Sequence, residues 1–322
     1  MNTALKITGF AAALAGAFGA AYGVGSSVAP ISTGTQPAAH SDHGAGAADG
    51  GGGPQVTGPG DPPAGGLQIS EGGYALDLRT PRVEAERRTE LRFGILDKSG
   101  RKTIAYKRVH GKELHLILAS RDLSVYRHLH PTWADDGTWS TPVDLPKAGD
   151  YRVFADFTPE AMGGKNLTLG ADLAVSGTYK PVSFPDTSRT AGVDGYTVTV
   201  NGDLRPGEAR KLDLKITKNG RPVTDLQPYL GAYGHLVALR SGDLAYLHVH
   251  PNDEADDDTT KPGPVVSFTA TAPSSGAYRL FLDFKHNGTV RTAAFTVRAG
   301  TSTGAQQSAE PTAGHGADSH QH

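Results

Sequence analysis

Residues 111–131 read GKELHLILASRDLSVYRHLHP and residues 231–251 read GAYGHLVALRSGDLAYLHVHP. Gly111, His115, Tyr126, His128, His130 and Pro131 of the first stretch return as Gly231, His235, Tyr246, His248, His250 and Pro251, at a constant offset of 120 residues. Each stretch holds two short, strand-like runs on either side of a polar break, the pattern of a β-hairpin. A turn at Arg121-Asp122 sets His115 directly across from His128, and one at Ser241-Gly242 sets His235 across from His248. Opposed residues of an antiparallel pair have Cβ atoms about 4.5–5.5 Å apart on one face. Strand side chains alternate with period two, so His130 and His250 share that face. Three imidazoles are therefore expected on one patch of each repeat, with Glu113 opposite His130 and Tyr233 opposite His250. Pro131 and Pro251 should end the histidine strands by removing the next backbone donor.

The repeat runs beyond the histidines. Gly149, Tyr151, Arg152, Phe154, Asp156 and Phe157 return as Gly276, Tyr278, Arg279, Phe281, Asp283 and Phe284, now offset by 127. The second copy has thus gained seven residues, around Asn252 to Gly263, where Asp, Glu and Pro indicate a surface loop. Two domains of about a hundred residues each are implied, at 68–178 and 192–298, joined by a linker at 179–191. Alternating runs such as Tyr196–Val200, Leu212–Ile216 and Tyr278–Phe284, with no helical stripe after residue 30, predict an all-β chain. The class is a tandem of two immunoglobulin-like antiparallel β-sandwiches. Pro146, Gly149 and Tyr151, and again Pro273, Gly276 and Tyr278, resemble the P-x-x-G-x-Y corner of immunoglobulin-like domains. That resemblance implies a tyrosine hydroxyl tying down each corner.

Both ends differ from the middle. Residues 30–67 and 299–322 are mostly small and polar and cannot offset the entropy of ordering, so both are expected to be disordered. Residues 1–29 carry Lys6 and then an uncharged, Ala- and Gly-rich run from Ile7 to Val28, which reads as an export signal or a single-pass anchor. The protein is expected outside the cytoplasm, secreted or held at the membrane. The absence of cysteine excludes disulfides and thiolate metal sites. A net charge of −2 with no basic stripe gives no argument for nucleic acid, and no such partner is expected.

Imidazole is the commonest protein ligand for borderline transition metals, and a facial set of three suits Cu(II) or Zn(II) with a fourth position open. The candidate ligands are His115, His128 and His130 in one centre and His235, His248 and His250 in another. Glu113, Asp156, Tyr233 and Asp283 are candidates for holding a histidine in one tautomer. Besides the initiator, Met162 is the single methionine, so a thioether site for Cu(I) is absent, and without cysteine so is a blue-copper centre. Cu(II) comes first and Zn(II) second. His110 and His286 lack counterparts and read as structural, while His40, His43, His315, His320 and His322 lie in the polar tails, where histidines scavenge metal or merely solubilise.

His128-Leu129-His130-Pro131 and His248-Val249-His250-Pro251, in small exported β domains, resemble bacterial extracytoplasmic copper-handling proteins of the CopC and YtkA-like kind. The resemblance implies metal sequestration or delivery at the cell surface. CopC-type proteins use the mature N-terminal amine beside a histidine, an arrangement missing here, so that ligand set does not carry over. The expected function is an exported, non-catalytic metal-binding protein whose partners are the ion and a membrane metal transporter or other cell-surface protein. Two alternatives stand beside it: a metal-free surface interaction or structural module, and a metal-dependent enzyme, for which the short loops leave little room for a substrate cleft.

Overall fold

The computed structural model describes residues 64–252 and 260–300. The segments expected to be an export signal or anchor, most of the N-terminal linker, the acidic loop at 253–259 and the histidine-bearing tail lie outside the described residues. So do the side chains of His248 and His250.

Each repeat contributes seven principal strands. In the first they are β1 (Tyr74–Leu78), β2 (Thr89–Leu96), β3 (Leu114–Ser120), β4 (Tyr126–Leu129), β5 (Trp139–Val143), β6 (Gly149–Pro159) and β7 (Leu167–Ser176). In the second they are β8 (Tyr196–Asn201), β9 (Ala209–Lys218), β10 (His235–Arg240), β11 (Tyr246–Pro251), β12 (Val265–Thr271), β13 (Gly276–His286) and β14 (Thr289–Ala299). Among the described residues the single helical turn is a 3-10 segment at Glu160–Met162. The chain is a tandem of immunoglobulin-like sandwiches, as the periodicity predicts.

In the first repeat one sheet runs β1-β2-β5 and the other β7-β6-β3-β4, each extended at its edges by shorter segments. Leu91, Phe93, Ile95 and Trp139 from the first sheet pack against Leu116, Leu118, Val153 and Leu169 from the second, and all are at most 2% exposed. The second repeat builds its own core from Leu214, Ile216, Phe268, Leu280, Phe284 and Phe295. Both corner tyrosines behave as the P-x-x-G-x-Y pattern implies: Tyr151 Oη donates to Lys147 O at 2.8 Å and Tyr278 Oη to Ser274 O at 2.7 Å.

Strands β3 and β10 bury both faces. Leu116 and Leu118 point into the first sandwich, whereas Ile117 and Ala119 join Leu123, Tyr126 and Phe154 with Val237, Leu239, Leu244 and Phe281 in a third apolar cluster between the repeats. Its aromatic contacts are reciprocal. Tyr126 stacks on Phe281 (ring centres 4.1 Å apart, planes at 5°), and Tyr246 packs on Phe154 at 5.9 Å. Like residues of the two copies exchange like contacts, the signature of a pseudo-two-fold interface. The two repeats accordingly belong to one compact unit.

The chain entering the first sandwich also ties the two together. Within the expected N-terminal linker, Tyr246 N donates to Gly65 O at 2.9 Å and Gly66 N to Thr168 O at 2.8 Å. Arg152 Nε holds Gly66 O at 2.7 Å. The backbone of residue 66 passes so close to Gly170 that a Cβ there would lie 1.9 Å from Gly66 O, which explains a glycine inside β7.

The hairpin register departs from the sequence reading. Ser120 N bonds Val125 O at 3.0 Å and Arg240 N bonds Ala245 O at 2.9 Å, so each loop has four residues rather than two. Asp122 builds the first loop by accepting from Ser124 N at 3.0 Å and from Ser120 Oγ at 2.6 Å, and Asp243 accepts from Ala245 N at 3.0 Å in the second. His128 therefore lies across from Ile117 rather than His115. The slip is two residues, which preserves the face. Extending the same ladder brings His130 level with His115.

Candidate metal centre

The histidine face of β3 and β4 is turned toward the second repeat. One ring nitrogen from each of His115, His128 and His130 lies within 4.8 Å of the others, the one such metal-competent group among the described residues. The ring centres stand 5.3 Å (His115–His128), 5.3 Å (His115–His130) and 4.8 Å (His128–His130) apart. Imidazoles bound tetrahedrally with metal–nitrogen distances of about 2.0 Å have ring centres about 5 Å apart. The triad is spaced for one ion.

Hydrogen bonds to the outer nitrogens set the tautomers. His115 Nε2 lies 3.1 Å from Val109 O, which can only accept, so Nε2 carries the proton and Nδ1 a lone pair. His128 Nδ1 lies 2.9 Å from Asp283 Oδ2, so its Nε2 is the lone-pair nitrogen. Those two inner nitrogens, His115 Nδ1 and His128 Nε2, face one another at 3.1 Å. Two lone pairs at that distance repel unless a proton or a metal ion sits between them. His130 Nε2 is buried without a hydrogen-bond partner, a third donor of the same kind. The residues present fit a transition-metal ion.

The turn preceding each histidine strand explains the repeated glycine. His110 and Gly111 have φ of 50° and 72°, and Leu230 and Gly231 have 57° and 75°. Two consecutive positive φ values define a type I′ turn, for which glycine is the favoured residue. The turn delivers Val109 O to His115 Nε2 and, in the second copy, Tyr229 O to His235 Nε2 at 2.7 Å. It also lays the ring of His110 5.3 Å from that of His235 and 6.3 Å from that of His115. Read singly, His110 looked structural; the structure puts it at the rim of the site.

The hairpin that carries His235 pairs differently from that of the first repeat. Strand β11 pairs with β10 only at Tyr246 and Leu247, then crosses to β12, where His248 lies across from Thr271 and His250 from Thr269. In the first repeat, by contrast, β4 stays on β3 through Leu129. The His235 ring packs across the repeat junction, 6.3 Å from His115 and 6.1 Å from His128. The backbone pairing of the two hairpins therefore differs, and the expected second cluster of His235, His248 and His250 lies in part outside the described residues.

The four candidate neighbours divide. Asp283, aligned with His235 on the adjoining strand, is 3% exposed and accepts from Thr292 Oγ1 at 2.5 Å as well as from His128 of the other repeat. Asp156, aligned with His115, accepts from Asn166 Nδ2 at 2.6 Å. Glu113 points elsewhere: it accepts from Trp133 Nε1 at 2.7 Å and faces Arg108 at 3.6 Å. Tyr233 packs on the core of the second sandwich. His286 is a satisfied core histidine, held by Tyr196 Oη at 2.6 Å and Asp225 at 3.0 Å. A cavity of about 270 Å³, lined by His110, His115, His128, Asp156, Asn166 and His235 among others, adjoins the cluster.

Burial pushes His115 down to about 3, with the neighbouring His128 ring adding to it, and His130 to about 3 for the same two reasons. Burial also takes His235 down to about 4, against the opposing pull of Tyr229 O. These rings are neutral at pH 7 and are not blocked by protons. The metal-free protein should lose stability as pH falls from about 6.5, the unfolded histidine value, toward 4, with the well-buried His115 and His235 each contributing up to about 1.4 kcal/mol per pH unit. Because the folded values are depressed, that stability is fully present above pH 6.5. Urea unfolding in chelator across this range checks the sign; a flat profile would contradict the buried neutral cluster.

The fold and site together define a tandem immunoglobulin-like sandwich with a histidine cluster at the repeat junction. The chain belongs to the family described as domain of unknown function DUF8832, whose model matches it twice, at residues 69–177 and 191–301. No curated protein matches the chain. Among solved structures it is similar to the Escherichia coli adhesin FdeC at 16% identity, with 72% of this chain and 65% of that one covered and a TM-score of 0.22. It is also similar to invasin, a bacterial integrin-binding protein (12%, 70% and 39%, TM-score 0.19), and to a marsupial T cell receptor (12%, 71% and 96%, TM-score 0.22). The chain spans less than two thirds of the adhesin and invasin structures.

Proposed function

We propose that this is an exported, non-catalytic protein that sequesters or delivers a transition metal through His115, His128 and His130. The observation that carries the reading is the pair of bare nitrogens, His115 Nδ1 and His128 Nε2, facing each other at 3.1 Å with their outer nitrogens committed. Cu(II) is favoured by the all-imidazole donor set without sulfur, and the near-tetrahedral ring spacing makes Zn(II) the second candidate. When bound, the ion is held and exchanged rather than used. The carbonyl of Val109 and the carboxylate of Asp283 orient the rings and raise their basicity. The ion itself and a membrane metal transporter or another cell-surface protein are the partners.

A second reading, a metal-free surface or structural module, is favoured by one feature: the histidine cluster already bonds the repeats together through His128 and Asp283. Isothermal titration separates the two. The full chain, with its five tail histidines replaced by glutamine, is titrated with Cu(II) and separately with Zn(II). One tight equivalent that disappears in His130→Asn supports the metal centre, and the stronger metal names the cargo. His130 Nε2 makes no hydrogen bond, so this variant is expected to keep its fold. Binding that is weak and indifferent to His130 assigns the cluster to the structural reading.

A further inference from the structure

We propose that His235 of the second repeat is the fourth ligand of the ion held by His115, His128 and His130, so that a bound ion joins the two repeats. The inference rests on the metal-binding reading above and adds the donor that closes the site.

Three observations carry it. First, His235 is prepared as His115 is: its Nε2 donates to a turn carbonyl, Tyr229 O at 2.7 Å, which leaves Nδ1 as the lone-pair nitrogen. The two histidines are equivalent positions of the repeat, brought together where the pseudo-two-fold contacts of Tyr126–Phe281 and Tyr246–Phe154 pair the copies. Second, its ring is in reach. The centre stands 6.1 Å from His128 and 6.3 Å from His115, against the spacing of about 5 Å for a tetrahedral centre, so an approach of about 1 Å brings it to ligand spacing from those two rings. Third, the cavity of about 270 Å³ that His235 lines together with His115 and His128 gives the ring room to move and the ion a way in. His110 is a poorer fourth donor. Its ring lies beside His235 and His115, and its position in the type I′ turn places it outside the triad.

A three-histidine centre in one sandwich would leave the junction to its apolar cluster, the His128–Asp283 bond and the chain at Gly65–Gly66. With His235 bound, the ion becomes a further tie, and taking up metal tightens the docking of the repeats.

The test counts imidazoles. The full chain lacking its tail histidines is loaded with one equivalent of Cu(II), and the coupled nitrogens are counted by pulsed electron paramagnetic resonance. Four imidazoles in this protein, three in His235→Gln, and four in His110→Gln are expected, with Cu(II) affinity in His235→Gln reduced at least tenfold. The glutamine amide can still donate to Tyr229 O, and the count in the unsubstituted ring set needs no variant to be informative. Three imidazoles before and after the His235 change, with the ion still bound, would overturn the fourth-ligand assignment and leave the metal centre standing. Absence of any tight Cu(II) equivalent would remove both.

Discussion

Replacing His128 with alanine is expected to lower the stability of the metal-free protein at pH 7 by about 3–5 kcal/mol, the range for breaking a buried pair from one side. His128 and Asp283 have side chains only 6% and 4% exposed, and they meet at 2.9 Å across 155 residues of sequence. With the imidazole gone, the buried Asp283 carboxylate keeps the hydrogen bond from Thr292 Oγ1 but loses its His128 donor. The effect comes largely from that stranded carboxylate. A second change, Asp283→Asn, should therefore cost much less in the His128→Ala background than in the parent. A double-mutant cycle by urea unfolding in chelator should give a coupling of at least about 1 kcal/mol. Additivity within about 0.5 kcal/mol would show that the two residues do not act as a pair.

The second large effect concerns the apolar junction. Phe281→Ala is expected to cost about 3–5 kcal/mol, the range for removing a buried phenylalanine. Phe281 is 4% exposed and lies in neither sandwich core; it stacks on Tyr126 in the cluster shared by the repeats. The loss should thus fall on docking. Calorimetry is expected to show one cooperative transition in the parent and two in the variant, because each sandwich retains its own core of fully buried leucines and phenylalanines. Phe154→Ala, at the equivalent position of the first repeat, should behave alike. A single transition shifted to lower temperature in both variants would mean that neither sandwich persists undocked.

Much of the site was legible before any coordinates. The repeated Gly111 and Gly231 are explained by the type I′ turns that carry a carbonyl to each following histidine. The shared face of His115, His128 and His130 survived a register error, because a slip of two residues leaves every side chain on the same side of the sheet. The two-residue loop itself was misread since Asp122 and Asp243 stabilise longer loops by accepting backbone donors, a local choice that periodicity does not register. Glu113 was placed by the misread register and in fact serves Trp133.

One feature of the sequence points to the larger arrangement. Ile117, Ala119, Val237 and Leu239 share the histidine face and are apolar, which an exposed metal patch would not require. A strand apolar on both faces is covered on both faces.

By itself, then, the sequence determined two all-β repeats, their tyrosine corners and the grouping of histidines by face, because each follows from local alternation and turn chemistry repeated along the chain. Only the tertiary structure decided that the histidine faces of the two copies meet. It also decided that His128 is oriented by an aspartate of the other repeat, and that β11 leaves β10 after Leu247 so that the copies are not equivalent. Those outcomes depend on which buried surfaces fit each other across the junction, a property of packed shapes that no spacing within one repeat encodes.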